Sequence, residues 1–408
     1  MGTESELQLS VQALVQPGKG ILAADESAPT IGKRFAAIGL ESTEENRRAY
    51  RHLILATPGL RDFVSGVILF EETLLQRADD STPLAQLAAR QGIVPGIKVD
   101  AGKIALALAP GDEITQGLDG LGKRLMAYKE QGARFAKWRA VYNVSATLPS
   151  AVAVRTNAHA LARYAAICQE LGIVPIVEPE VLIDGDHCLA RCAEVTQTVL
   201  HEVFRALFEQ RVALEYVVLK PSMVLPGKSH AALATPAEVA RATLQVLRRT
   251  VPAALASINF LSGGQTPEQA SANLDAMNRC GVQPWPLSFS YGRALLDPAL
   301  RAWGGRADQV RAGQAALLAL LTGGDDYQAL FTAPPEARGL IVAAGRATET
   351  NVTLIGEVLA GVGVHVVSGG VELKLAAGEV TSVSYAVRAG AGARRTLAIN
   401  LREPFVDT

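Results

Sequence analysis

Residues 216–224 read Tyr216-Val217-Val218-Leu219-Lys220-Pro221-Ser222-Met223-Val224. An apolar run leads directly into a lysine, and a proline follows at once. A run of this kind reads as a strand buried on both faces. Proline offers no N–H to a central ladder, so the strand is expected to stop at or just before Lys220. That places an ammonium at the end of a buried strand, among apolar walls. Burial disfavours the charged form and lowers the lysine pKa. A lysine that is neutral near physiological pH is a nucleophile able to form an imine with a carbonyl. The plainer alternative is a lysine whose head snorkels out to water.

Outward from this stretch, similar segments recur. Strands are expected at 20–27, Phe63–Phe70, Ile93–Val99, Ala133–Val141, Ile173–Val177, Glu215–Leu219, Ala256–Leu261 and Leu287–Ser290. Between them lie segments of helical spacing rich in Ala, Leu, Gln, Glu and Arg, such as Asn157–Leu171 and Pro236–Thr250. Eight strands alternating with helices over about 300 residues predict a (β/α)8 TIM barrel. An open doubly wound sheet is the alternative, but no G-x-G-x-x-G follows the first strand.

The strand ends share a chemistry. Asp25 ends the first and Glu71-Glu72 follow the second; Lys98 and Asp100 end the third, Lys137 and Arg139 the fourth, Glu178 and Glu180 the fifth. Lys220 ends the sixth, Ser262-Gly263-Gly264 the seventh, and Ser290-Tyr291-Gly292-Arg293 the eighth. In a barrel all these ends meet at one mouth, where catalytic groups sit. The last two are glycine turns of the kind that binds phosphate through backbone amides, and Arg293 adds a charged fork. In Glu178-Pro179-Glu180 an extended backbone directs both carboxylates to the same side. A second ammonium, Lys137, beside Lys220 would lower the nucleophile's pKa further. This constellation suits imine chemistry on a phosphorylated keto compound.

At these residues the chain resembles the class I fructose-bisphosphate aldolases. The matching motifs are GILAADES (20–27), GIKVD (96–100), FAKWR (135–139), PIVEPE (175–180), VLKPSM (218–223), NFLSGGQ (259–265) and SFSYGRA (288–294). They come in the family's order and spacing over about residues 8–318. The resemblance implies a barrel that reversibly cleaves fructose 1,6-bisphosphate to dihydroxyacetone phosphate and glyceraldehyde 3-phosphate, with no metal and no organic cofactor. It implies that Lys220 forms the Schiff base and that Glu178 is the general acid/base for carbinolamine formation and dehydration. Glu180 and Lys137 would tune and position that acid. Asp25 would assist at the C–C bond. Ser262, Gly263, Gly292 and Arg293 would hold the C1 phosphate; Thr30, Arg34, Lys98 and Arg139 would serve the other end of the substrate. It also implies a homotetramer.

The chain departs from the family's pattern in two places. Thr30 stands where the family commonly has serine, and the hydroxyl survives. The chain ends in Thr408 rather than in the terminal tyrosine that helps proton transfer in the animal and plant enzymes; if that role is needed, either another group supplies it or cleavage is slow and the enamine long-lived. The barrel is expected to span 1–318 and a small α+β extension 319–408. Within that extension Leu318–Pro335 and Thr353–Val358 resemble the C-terminal part of thiamine-monophosphate kinases, whose ATP-binding half has no counterpart here. Residues 371–408 alternate apolar and polar and read as strands, with a turn over Ala389–Ala393.

Composition narrows the partners. Of 408 residues, 49% are hydrophobic and 19% charged, as in a folded protein. A net charge of -1 offers no general attraction to nucleic acid or anionic membrane. No secretory signal pattern opens the sequence and no apolar run reaches membrane-spanning length, so a cytoplasmic protein is expected, and the resemblance implies small sugar phosphates as its partners. The four cysteines follow no disulfide framework, and the six histidines form no metal-binding cluster. A non-catalytic sugar-phosphate-binding barrel or scaffold is the rival reading. Another ketose phosphate as substrate, such as fructose 1-phosphate or sedoheptulose 1,7-bisphosphate, is a third.

Overall fold

The computed structural model describes residues 2–322 and, beyond them, four short strands at Val366–Ser368, Val371–Leu373, Val383–Ala389 and Ala393–Ile399. Eight parallel strands follow one another in sequence order around a barrel. They are β1 (Gly20–Ala24), β2 (Val64–Leu69), β3 (Val94–Lys98), β4 (Phe135–Tyr142), β5 (Val174–Val181), β6 (Val218–Leu219), β7 (Ser257–Phe260) and β8 (Leu287–Phe289). The ring closes where the Ala23 N–H donates to the Tyr291 carbonyl at 2.8 Å. Helices connect each strand to the next, and the expected (β/α)8 architecture is the one observed.

Two apolar layers result from the alternation of strand side chains. Outward-facing residues such as Leu22, Val67, Trp138, Val177 and Leu219 pack under the helices. Inward-facing Ile21, Ala23, Ile68, Phe135, Val174, Ile176 and Val218 fill the barrel. Helix α1 (Thr3–Leu14) plugs the lower end by adding Leu7 and Leu14 to that inner layer. The Phe135 ring occupies so much of the interior that its neighbours must be glycine. A Cβ at Gly96 would lie 2.3 Å from that ring, and one at Gly66 would lie 2.5 Å from Leu14.

The same period of two sets the site. Above Ile21 and Ala23 comes Asp25; above Phe135 come Lys137 and Arg139; above Ile176 come Glu178 and Glu180; above Val218 comes Lys220. The inner face is thus apolar at the bottom and charged at the top.

Strand β6 is shorter than the sequence predicts, because a 3-10 turn over Leu214–Tyr216 precedes it. The ladder still reaches Lys220, whose N–H donates to the Val177 carbonyl at 2.8 Å, and it stops at Pro221 as expected. Strand β5 is longer than predicted and runs through Pro179 to Val181. The Leu182 N–H donates to the Tyr142 carbonyl, so even-numbered residues of this strand bond to β4 and odd ones face β6. Pro179 therefore turns its missing donor toward the side where the ladder has already ended. The antiparallel hairpin Lys103–Ala105/Glu113–Thr115 after β3 was not foreseen. Helix Pro236–Thr250 has the predicted bounds and begins with a reciprocal Thr235–Glu238 capping box.

By Cα proximity the chain forms two compact units, Met1–Tyr327 and Gln328–Thr408. In the second, Val383–Ala389 pairs antiparallel with Ala393–Ile399, and Val366–Ser368 with Val371–Leu373. The helical part expected of the extension, and most of the two stretches expected to resemble thiamine-monophosphate kinases, lie outside the described residues.

Candidate active site

Lys220 stands at the end of β6 with its side chain only 4% exposed, and its Nζ lies 3.4 Å from Glu178 Oε1. Burial holds this lysine below its ordinary pKa; Glu178 opposes the shift and the Lys137 ammonium adds to it. Lys137, on β4, reaches Asp25 Oδ2 at 2.7 Å and Glu178 Oε2 at 3.0 Å. The second contact is an ion pair without an aligned hydrogen bond, since Glu178 Oε2 has no hydrogen-bond partner. Burial alone would lower the Lys137 pKa, but the carboxylates of Asp25, Glu178 and Asp100 outweigh it and hold the ammonium charged. Burial would likewise raise Asp25, yet Lys137 and Lys220 hold it well below the usual carboxylate range. Two lysines on neighbouring inner positions are thus driven apart: one keeps its proton, the other is made easier to deprotonate.

Around this core the structure arranges the remaining predicted residues in three groups. The Arg139 guanidinium donates to Glu180, and its backbone N–H approaches Asp100 Oδ2 at 3.5 Å. Lys98 Nζ is held by the carbonyl and carboxylate of Asp100 at 2.8 and 2.7 Å. At the end of β7, the Ser262 carbonyl accepts from the backbone and side-chain amides of Gln265 at 3.0 and 2.8 Å. Gly263 and Gly264 follow in the left-handed region, with φ of +49° and +82°. Neither of their N–H groups meets an acceptor among the described residues, which leaves both for an anion. After β8, Gly292 caps helix Arg293–Trp303, and a Cβ there would lie 3.0 Å from the Ala23 carbonyl. The exposed Arg293 opens that helix, where backbone N–H groups favour a phosphate.

Arg34 and Thr30 lie on helix α2 (Ala28–Ala36). Thr30 exchanges a hydroxyl hydrogen bond of 3.1 Å with Ser27. Arg34 does not join Lys98 and Arg139. Its Nη1 donates to Glu26 and lies 3.8 Å from Asp297 Oδ1. Glu26 also receives the buried Arg51 of helix α3 (Glu44–Leu55). Sequence reasoning missed Glu26, Arg51 and Asp297. One signal was present: next to the inward Asp25, alternation turns Glu26 into the helix layer, where a carboxylate needs a cationic partner. Among the described residues no group of three His, Cys, Asp or Glu side chains could hold a metal ion, and all four cysteines are free.

The model of the class I fructose-bisphosphate aldolase family matches residues 6–326. The chain belongs to the class I fructose-bisphosphate aldolase family. Relatives agree with that match. The chain is 56% identical to a probable class 1 fructose-bisphosphate aldolase of Xanthomonas campestris over 298 residues, covering 73% of this chain and 89% of the relative. It is 52% identical to a cytosolic fructose-bisphosphate aldolase of Arabidopsis thaliana, over 77% of this chain and 87% of that one. The solved structure of the Plasmodium falciparum aldolase superposes with a TM-score of 0.77 at 48% identity, covering 78% of this chain and 92% of that one. This aldolase is therefore an aldehyde-lyase of the imine-forming class. The family match ends at 326.

Proposed function

We propose that this aldolase cleaves fructose 1,6-bisphosphate through an imine on Lys220, with Glu178, Lys137 and Asp25 as its immediate partners. The observation that carries this reading is the buried cluster itself. A lysine of lowered pKa lies 3.4 Å from a carboxylate whose other oxygen faces a permanently charged second lysine.

The neutral Lys220 amine attacks the C2 carbonyl of the ketose. Glu178, within reach of the same nitrogen, takes the proton that Lys220 gives up to become the nucleophile and delivers it to the carbinolamine hydroxyl, and water leaves as the iminium forms. The C4 hydroxyl proton then passes to a carboxylate of the Asp25–Glu178 pair. The C3–C4 bond breaks, its electron pair moves into the iminium to give an enamine, and the aldehyde departs. Protonation of C3 and hydrolysis release dihydroxyacetone phosphate and restore Lys220. Lys137 keeps the Asp25 carboxylate ionised between proton transfers. Ser262, Gly263, Gly292 and Arg293 suit one phosphate; Thr30, Arg34, Lys98 and Arg139 are the candidates for the rest of the substrate. The reading includes a cytoplasmic homotetramer, which rests on the family resemblance and is open to test by sedimentation. The C-terminal unit is read as an extension separate from the chemistry.

A coupled cleavage assay in the presence of EDTA tests the route. The parent should turn over at an unchanged rate, and Lys220→Arg, which keeps the charge but has no nucleophilic amine, should fall to the assay background. Loss of parental activity in EDTA, or an active Lys220→Arg variant, would contradict it.

A further inference from the structure

Asp297 has an unusual environment. It lies on helix Arg293–Trp303, one turn beyond Arg293, and its side chain is 31% exposed. Its Oδ1 nevertheless is shielded from solvent and has no hydrogen-bond partner. Arg34 Nη1 stands 3.8 Å from that oxygen, near enough for an ion pair but too far for a hydrogen bond. An orphaned carboxylate oxygen is costly, and stability gives no reason to keep one here. Burial pushes the Asp297 pKa up, and the surrounding cations Arg34, Arg293 and Arg301 oppose that shift. The carboxylate thus faces Arg34, 3.8 Å away, and lies on the helix that Arg293 opens; both arginines are candidates for substrate phosphates.

Arg34 itself is anchored elsewhere. Glu26 spends one oxygen on Arg34 and the other on Arg51, in a buried bridge that ties α2 to α3. Among the described residues Arg34 makes no other hydrogen bond, so most of its five N–H donors are uncommitted. A phosphate reaching those donors would meet the negative charge of Asp297 on the same side.

We propose that Asp297 is a positioning carboxylate that competes with the substrate phosphate for Arg34, so that its charge sets how tightly this end of the barrel mouth holds an anion. The proposal rests on Arg34 receiving a substrate phosphate. Asp297 takes no part in the bond-breaking steps, so its effect falls on binding rather than on turnover.

The test uses inorganic phosphate as a competitive inhibitor of fructose 1,6-bisphosphate cleavage by the full chain. Asp297→Asn should bind phosphate about three- to fivefold more tightly and lower KM to a similar extent, the size expected for one half-exposed charge. The change should fall on these two constants and not on kcat. Asp297→Glu, which keeps the charge, should behave as the parent; a purely structural role would instead disturb both variants. Arg34→Gln should weaken phosphate inhibition, and adding Asp297→Asn to it should then change nothing. If Arg34→Gln weakens phosphate but Asp297→Asn leaves it unchanged or weaker, the role given to Asp297 is wrong while that of Arg34 stands. If Arg34→Gln leaves phosphate inhibition untouched, the assignment of Arg34 fails and the proposal falls with it.

Discussion

Lys220 and Lys137 are the same residue type a few ångströms from a shared carboxylate, yet their environments push them in opposite directions. Lys137 touches two carboxylates and Lys220 one, and both are equally dry. The pH dependence of the reaction should expose this division. Lys137→Met removes a like charge from Lys220 and also frees Asp25 and Glu178 to stabilise its ammonium. Both effects raise the Lys220 pKa, so the acid limb of the kcat/KM profile should move to higher pH. An unmoved limb, or one shifted to lower pH, would show that Lys137 does not control the nucleophile. At this scale the sequence was most informative where chemistry and strand ends coincide: Lys220 before Pro221, the Glu178/Glu180 alternation, the glycines at 263 and 292. It was silent on the Glu26–Arg51 and Arg34–Asp297 pairs. Their members lie 25 residues apart in one case and on opposite ends of the barrel sequence in the other, and no local pattern links them.

Elements were legible to the degree that their neighbours bury them. The strands of the barrel announced themselves as apolar runs, and helix Pro236–Thr250 through its spacing. The hairpin at 103–115 did not, because its strands are only three residues long, the first fully exposed, and carry no periodic signal. Strand β5 runs past its expected end at Val177 because the Pro179 nitrogen faces no partner that it would leave unbonded. The inner layer makes a prediction of its own. Gly96→Ala should destabilise the barrel by about 1–3 kcal/mol, because the new methyl collides with the Phe135 ring in a close-packed interior. Pairing it with Phe135→Leu should recover part of that loss in chemical denaturation. A neutral Gly96→Ala would mean that the ring can shift and that the glycine is not there for packing.

For the whole molecule, the barrel brings the C-terminal ends of its strands to one mouth, and this topology turns scattered charged residues into a site. The eightfold alternation was readable because parallel strands buried on both faces leave long apolar segments. Helix Val310–Thr322 runs across the expected boundary at 318/319 without a break in its apolar spacing, and the first compact unit extends to Tyr327. If catalysis belongs to the first unit, a chain ending at Tyr327 should still cleave fructose 1,6-bisphosphate with kcat/KM near that of the full chain. A folded but inactive truncation would assign the C-terminal unit a part in the reaction.

The central claim is that a single buried lysine carries the substrate as an imine. Borohydride reduction in the presence of dihydroxyacetone phosphate and EDTA, followed by peptide mass mapping, tests it most directly. The account predicts one stable adduct, on the peptide containing Lys220, that is lost in Lys220→Ala. A well-folded protein that yields no adduct, or one that is modified at another lysine instead, would contradict it.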